Sequence, residues 1–401
     1  MKLSDIYDNP RAEMVRYRRL GDRIKAQCGE AELFFSSSGR AEILGNHTDH
    51  NLGKVVVSAV QCDIVCAAKR RSDDVVQVCS EGFSPIRIDI GDLSPVASEK
   101  GRSASLVRGV LFFLRKRGYS FGGFTAYTQS TIFRGAGVSS SAAFEVLIAE
   151  IVNCLYLNGA LSPIEKAVIG KEAENEYFGK PCGLLDQTGI SIGGMNKIDF
   201  SDPNAPRFER LPAPKGYRIV IVNTGGNHSS LTEHYAAIRA EMSRVAAFFH
   251  KKALREVRYG QFFDALPALR KKVSERALLR AFHFFEENKR VDLAAQALKK
   301  GNLPAFFAQV NESGRSSQLC LQNAYLPGSD EQAIPLAVKI SEKILKDGAV
   351  RLHGGGFAGT ILAFVKDEQA EEYQKEMAKM FGSQNVFSTK TRKFGTGVVT
   401  L

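Results

Sequence analysis

The chain has 401 residues, 44% hydrophobic and 24% charged, which excludes disorder and implies two or three domains, since one domain usually spans about 100–200 residues. Its 54 Lys and Arg outnumber 43 Asp and Glu, but they are scattered, as in RKKVSER and FLRKRG, with no RNP aromatics, zinc finger or helix-turn-helix pattern. A nucleic-acid partner is therefore not expected, and the net charge of +11 favours small anionic ligands instead.

In chain order, the N-terminal segment MKLSDIYDNPRAEMVRYRRL has no apolar leader-like core, and no later run reaches ~18 uninterrupted apolar residues. A cytoplasmic protein with no membrane contact is expected. Strands are expected near 31–36, 54–68, 74–79, 85–90 and 121–130. Between the first two lies the polar run GRAEILGNHTDHN at 39–51, which reads as a loop. Its His47, Asp49 and His50 lack helical metal-ligand spacing, so a zinc reading is set aside. The seven cysteines form no CxxC pair and read as reduced, buried thiols.

A helix is expected over 104–117, ASLVRGVLFFLRKR, and another over 139–157, with Phe144, Leu147, Ile148, Ile151 and Leu155 on one broad apolar face. Gly135 and Gly137, followed by Ser139, Ser140 and Ser141, open this second helix. Flexible backbone, hydroxyls and the free N–H groups of a helix start suit a phosphate. An ordinary serine cap is the plainer alternative. Downstream, KEAENEYFGKPCGLLDQTGISIGG holds Glu172, Glu174 and Glu176, then Asp186 in an apolar setting where a carboxylate needs a partner or a chemical role. Glu172 and Glu176 sit four residues apart, a spacing equally compatible with a metal-facing pair and a solvated helix face.

The turn-rich stretch 201–216, SDPNAPRFERLPAPKG, marks the domain boundary. Beyond it come a strand at 217–224, a helix-rich region at 230–300 and a strand at 360–365. The glycines at 354, 356 and 359 spell GxGxxG, but a strand follows them where a dinucleotide fold needs a helix, so they read as a glycine turn beside another ligand loop. The chain contains no Walker A string.

Six segments, taken together, resemble the GHMP kinase superfamily and within it the galactokinases. GRAEILGNHTDHNLGKVVVSAV is similar to GRxNLIGEHTDYNxGxVLPxA, GAGVSSSAA to the phosphate loop GxGLSSSAA, and GGGFAGTILAFV to the third motif GxGFGGxxxAL. KEAENEYFGKPCGLLDQ resembles QxAExxxxGxPCGxMDQ, NHSSLTEHYAAIRAEM resembles HSxxxxxYxxRRxEC, and LLRAFHFFEENKRV resembles RARHVxxENxRV. They run in family order from about residue 32 to 365.

The resemblance implies an α+β, two-lobed GHMP kinase-like fold, with domains at 1–200 and 201–401, the active site in the cleft between them, and the last strand packing back on the first domain. It implies an ATP-dependent sugar 1-kinase with Mg²⁺, acting on galactose, as a monomer or weak homo-oligomer. Asp186 and Arg40 would be the catalytic pair at the anomeric hydroxyl. Gly135, Gly137, Ser139, Ser140 and Ser141 would hold the ATP phosphates. Ser140 or Ser141 with Glu174 would hold the metal. Asn46, His47, Asp49, Gly183 and Tyr235 would contact the sugar.

Several positions depart from the pattern. Asn46 replaces a glutamate expected at the sugar's 6-hydroxyl, His50 replaces a tyrosine, and Glu42 replaces an asparagine. Losing a negative charge at 46 and gaining a positive one at 50 would suit a hexuronic acid, so galacturonate 1-phosphorylation is a second reading. Phe133 and Arg134 precede the phosphate loop in place of Pro-Leu, and the adenine-side pattern WxxYVxGV is replaced by SASLVRGV. A non-catalytic sugar- and ATP-binding regulator is the reading from another class, and the intact SSSAA string argues against it.

Overall fold

A computed structural model describes residues 1–132, 137–225, 231–357 and 359–401. Gly135, Phe133 and Arg134 therefore lie outside the described residues. Helix α1 (Pro10–Cys28) starts at Asn9, whose side chain caps the Ala12 N–H, with proline at the first helical position. Strands β1 (Leu33–Leu44), β2 (Lys54–Arg70), β3 (Val75–Ser80) and β4 (Ile86–Asp89) follow. Then come α2 (Ser103–Lys116), β5 (Phe124–Ser130), α3 (Ser140–Tyr156), α4 (Pro163–Glu172), α5 (Leu185–Ile192), β6 (Met195–Asp199) and β7 (Arg207–Leu211).

The second part of the chain contains β8 (Tyr217–Asn223), α6 (Leu231–Phe248), the short α7 (Tyr259–Asp264) and α8 (Leu266–Leu269), and the long α9 (Glu275–Lys299). It continues with α10 (Leu303–Ser316), α11 (Ala333–Ile344), β9 (Gly348–His353), β10 (Thr360–Lys366), α12 (Ala370–Phe381), β11 (Val386–Thr389) and β12 (Gly397–Val399).

Two sheets organise these elements. The first has eight strands: β12-β1-β2-β5-β3-β4 in order, with β6 pairing β2 and β7. Every pairing in it is antiparallel except β3 with β5. The second is a four-stranded antiparallel sheet, β11-β8-β10-β9. The boundary expected after residue 200 falls inside the β6–β7 hairpin, because the 201–216 stretch itself contains β7. Strand β12 lies beside β1, so the C-terminal end is part of the first sheet.

Two expectations need correction. The polar run at 39–51 is not a loop throughout: residues 39–44 are the second half of β1. Ala41 and Ile43 face the apolar core while Arg40 and Glu42 share the opposite face, the period of two of a strand, here buried on both faces. Helix α3 does not present a single apolar face either. Every residue from 142 to 153 is buried, since the helix is enclosed by the first sheet, α2, α4 and α5. Enclosure forces its polar residues to find partners, and Glu150 takes Lys166 and Asn153.

Candidate active site

Strand β1 delivers Arg40, and α5 delivers Asp186 in its first turn, where a carboxylate suits the helix dipole. Although 146 residues apart, the two meet: Arg40 Nε donates to Asp186 Oδ1 at 2.7 Å. Arg40 also donates through Nη1 to the Gly137 carbonyl, and the Ser139 hydroxyl donates to Asp186 Oδ2. Ser139 holds a left-handed φ of 61°, uncommon for a residue with a side chain, immediately before α3 begins at Ser140. The helix start is thus tied directly to the carboxylate–guanidinium pair. Loss of water would raise the Asp186 carboxyl, but Arg40, Ser139 and Lys180 outweigh it and hold the group below its ordinary range.

Beside this pair, α4 runs into a π-helical turn at Ala173–Phe178 that buries Glu174. Ser141 Oγ donates to Glu174 Oε1 at 3.1 Å, and Lys180 Nζ lies 3.2 Å from the same oxygen. Glu172 instead pairs with Arg117 at 2.7 Å and Glu176 is exposed, whereas Glu174 between them is buried. Gln187, next to Asp186, bridges Glu174 and the buried Glu145 through its side-chain amide at 3.0 and 2.9 Å. Burial, with Glu174 nearby, pushes the Glu145 carboxyl well above its usual range. A hydroxyl and a carboxylate oxygen side by side are hard donors of the kind that suit Mg²⁺. Ser140 is exposed at the same helix start.

The third group comes from the loop after β1. His47 has a left-handed φ of 57°, and its Nε2–H donates to the Gly355 carbonyl at 3.0 Å. Its ring faces that of Tyr235, centroids 6.2 Å apart, and the Tyr235 hydroxyl donates to the Gly356 carbonyl at 3.2 Å. Asp49 lies against Gly183, where a Cβ would overlap its carboxylate, so glycine is required for the two segments to approach this closely. Loss of water and the neighbouring Asp186 charge raise Asp49 to about 6. Loss of water lowers His47 to about 4 and His50 well below its ordinary value, so both are neutral imidazoles at pH 7. The positive charge expected at position 50 is therefore absent.

Asn46 is fully buried and turned inward. Its Nδ2 donates to Glu42 Oε1 at 2.8 Å and to the Gly354 carbonyl at 2.7 Å, and its Oδ1 accepts from Asn323 at 2.8 Å. Its backbone carbonyl accepts from His283 Nε2 at 2.9 Å. Of the residues expected at the site, Arg40, Asp186, Gly137 and Ser139 form one cluster, Ser141 and Glu174 a second, and Asp49 with Gly183 and His47 with Tyr235 a third. Asn46 sits behind the third, within the protein.

Sequence reasoning missed residues that hold these groups: Lys180, Gln187, Asn323 and Glu287. Part of the signal was available. The LLRAFHFFEENKRV segment supplies His283 to the Asn46 carbonyl, Glu287 to the Gly45 N–H at 2.8 Å, and Asn288 to the Lys54 N–H at 2.7 Å. Its role is to clamp both ends of the 45–54 loop.

The GHMP kinases N terminal domain matches residues 105–194, and the galactokinase galactose-binding signature matches residues 25–70. Among solved structures, a galactokinase of Lactococcus lactis complexed with galactose aligns with a TM-score of 0.82 at 23% identity, over 95% of this chain and 99% of that one. A mevalonate kinase of Methanococcus jannaschii aligns at 0.63 and 16%, over 91% and 99%. A D-glycero-D-manno-heptose 1-phosphate kinase of Bacteroides thetaiotaomicron aligns at 0.61 and 14%, over 92% and 99%. The galactose-binding signature covers the strand and loop that carry Arg40, His47 and Asp49, and the N-terminal domain covers the serine helix and Asp186, so the chain carries a GHMP kinase N-terminal domain and a galactokinase galactose-binding signature on the fold of those kinases.

Proposed function

We infer that the protein is a galactokinase, a phosphotransferase that uses ATP to phosphorylate the anomeric hydroxyl of galactose. The observation that carries this reading is the galactose-binding signature at 25–70, which spans the very strand and loop that bring Arg40 against Asp186.

Asp186, kept ionised, accepts a hydrogen bond from the anomeric hydroxyl and takes its proton as the O–P bond forms. The Arg40 guanidinium, already beside it, stabilises the negative charge that develops on the transferring group. The N–H groups that open α3, with Gly137 and Ser139, receive the phosphates; the adenine pocket would be closed by groups other than an indole, since the chain has no Trp. Ser140 or Ser141 and Glu174 fit Mg²⁺, which would neutralise phosphate charge when bound. Lys180 would then trade its Glu174 contact for a phosphate. His47, Asp49, Gly183 and Tyr235 read the sugar hydroxyls. We assign the site to the cleft between domains of about 1–200 and 201–401 and place the enzyme in the cytoplasm; among the described residues no helix is long and apolar enough to cross a membrane.

The uronate reading is not favoured. It required a missing carboxylate and a new positive charge, whereas Glu42, raised by burial to about 7, still sets a carboxyl group against Asn46, and His50 is neutral. A coupled assay of ADP release with galactose, galacturonate and other aldoses tests the assignment: galactose is expected to give the highest kcat/KM. Asp186→Asn should keep the fold and lower kcat by roughly a thousandfold, the scale of a lost proton acceptor. Wild-type turnover on no aldose, or an Asp186→Asn enzyme within tenfold of wild type, would overturn it.

A further inference from the structure

Glu42 is a buried carboxylate for which the kinase chemistry has no direct use. It lies on the same face of β1 as Arg40, two residues on. Its Oε1 accepts from Asn46 Nδ2 at 2.8 Å and from Arg351 Nη2 at 3.3 Å, and its backbone N–H donates to His353 Nε2 at 3.1 Å. Arg351 also donates to the Ile43 carbonyl at 2.8 Å. All of these side chains are buried, where a lost partner is expensive.

What Asn46 does with its remaining atoms decides the consequence. It donates to the Gly354 carbonyl at 2.7 Å, and the adjacent His47 donates to the Gly355 carbonyl at 3.0 Å. Asn323 closes the arrangement by donating to both Asn46 Oδ1 and the Gly355 carbonyl. A Cβ at 355 would overlap the Tyr235 ring, so the turn at 354–356 sets where that ring lies. Orientation therefore passes from Glu42 through Asn46 to the glycine turn, and from there to His47 and Tyr235.

The sequence adds an independent observation. The motif GRxNLIGEHTDY has an amide and a carboxylate four residues apart, and this chain has Glu42 and Asn46 in the same two places in reverse order. The two side chains touch. We propose that Glu42 is a positioning residue for the sugar-binding loop and that positions 42 and 46 form an exchangeable carboxylate–amide pair, so that the carboxylate resides on the strand rather than on the loop. This rests on the galactokinase reading.

The test is a double-mutant cycle of Glu42→Asn, Asn46→Glu and both together, measuring Tm, kcat and KM for galactose at saturating ATP and Mg²⁺. Glu42→Asn puts two amides in contact and Asn46→Glu two carboxylates, so each single variant should raise KM by about tenfold or more, with kcat less affected. The double variant should recover KM to within about threefold of wild type, because neighbouring side chains couple. If Glu42→Asn does not fold, Glu42→Gln takes its place in the cycle with the same expectation. A double variant whose loss equals the product of the singles overturns the proposal, as do single variants that lower Tm without moving KM. If the wild type turns over no aldose, the kinase reading fails instead, and the pair is read from galactose Kd by calorimetry, where the same rescue is expected and its absence is decisive.

Discussion

Asp49 and Asp186 are two carboxylates close enough to interact, yet they are driven apart in acidity. Arg40 and Ser139 hold Asp186 ionised, while loss of water and the neighbouring Asp186 charge raise Asp49 to about 6 against the opposing pull of its backbone donors and Arg239. The two can then take different roles near neutral pH, one receiving a proton from the reacting hydroxyl and the other accepting from a sugar hydroxyl. As pH falls through about 6, Asp49 gains a proton and loses that accepting capacity. The pH profile of kcat/KM for galactose should therefore rise with unit slope up to about pH 6 and then level. Asp49→Asn should flatten this limb and lower kcat/KM by roughly 10- to 100-fold, the range of one buried hydrogen bond. An unchanged limb in that variant would assign it to another group.

At the scale of elements, α9 decides the shape of the sugar loop. His283 is fully buried: its Nε2–H donates to the Asn46 carbonyl, so its Nδ1 accepts from the Ser316 hydroxyl, both at 2.9 Å. Four residues on, Glu287 holds the Gly45 N–H and Ser313. These contacts are spaced at i, i+4 on one helix face and meet the loop from behind. His283→Leu leaves a carbonyl and a hydroxyl buried without partners and should destabilise the protein by about 2–4 kcal/mol in urea unfolding. It should also raise KM for galactose more than it lowers kcat, because the damage falls on loop placement.

The whole molecule is closed by its C-terminal end. The Met1 ammonium donates to the Val398 carbonyl at 2.8 Å, and β12 pairs β1 through residues 397–399. Arg392 is fully buried, donating to Ser36 Oγ at 2.6 Å and to the Phe394 and Gly395 carbonyls at 2.9 and 3.1 Å. It also faces Asp63 at 3.3 Å, which Arg16 approaches from α1 at 2.9 Å. One buried carboxylate thus joins the first helix, the first two strands and the C-terminal segment. Arg392→Ala should cost about 3–5 kcal/mol, the scale for breaking one partner out of a buried ion pair, measured as a fall in the urea midpoint. A change under 1 kcal/mol would mean that Arg16 and the Tyr7 and Ser36 hydroxyls, which also donate to Asp63, satisfy it without Arg392.

The element types and the six ordered motifs were legible in the amino-acid sequence because they depend on local pattern: apolar period, glycine and serine spacing, and the chemistry of adjacent residues. Even the strand character of 39–44 was there to be read, in the alternation of Ala41 and Ile43 with Arg40 and Glu42. Three things were settled only by tertiary structure. The meeting of Arg40 with Asp186 spans 146 residues and depends on how β1 and α5 pack. The neutrality of His50 depends on its removal from water, which no spacing encodes. The inward turn of Asn46 depends on Glu42, Asn323 and Gly354 converging on it from three separate segments. Local pattern names the groups a chain carries; distance, burial and partners from elsewhere in the fold decide which way each one faces and what charge it holds.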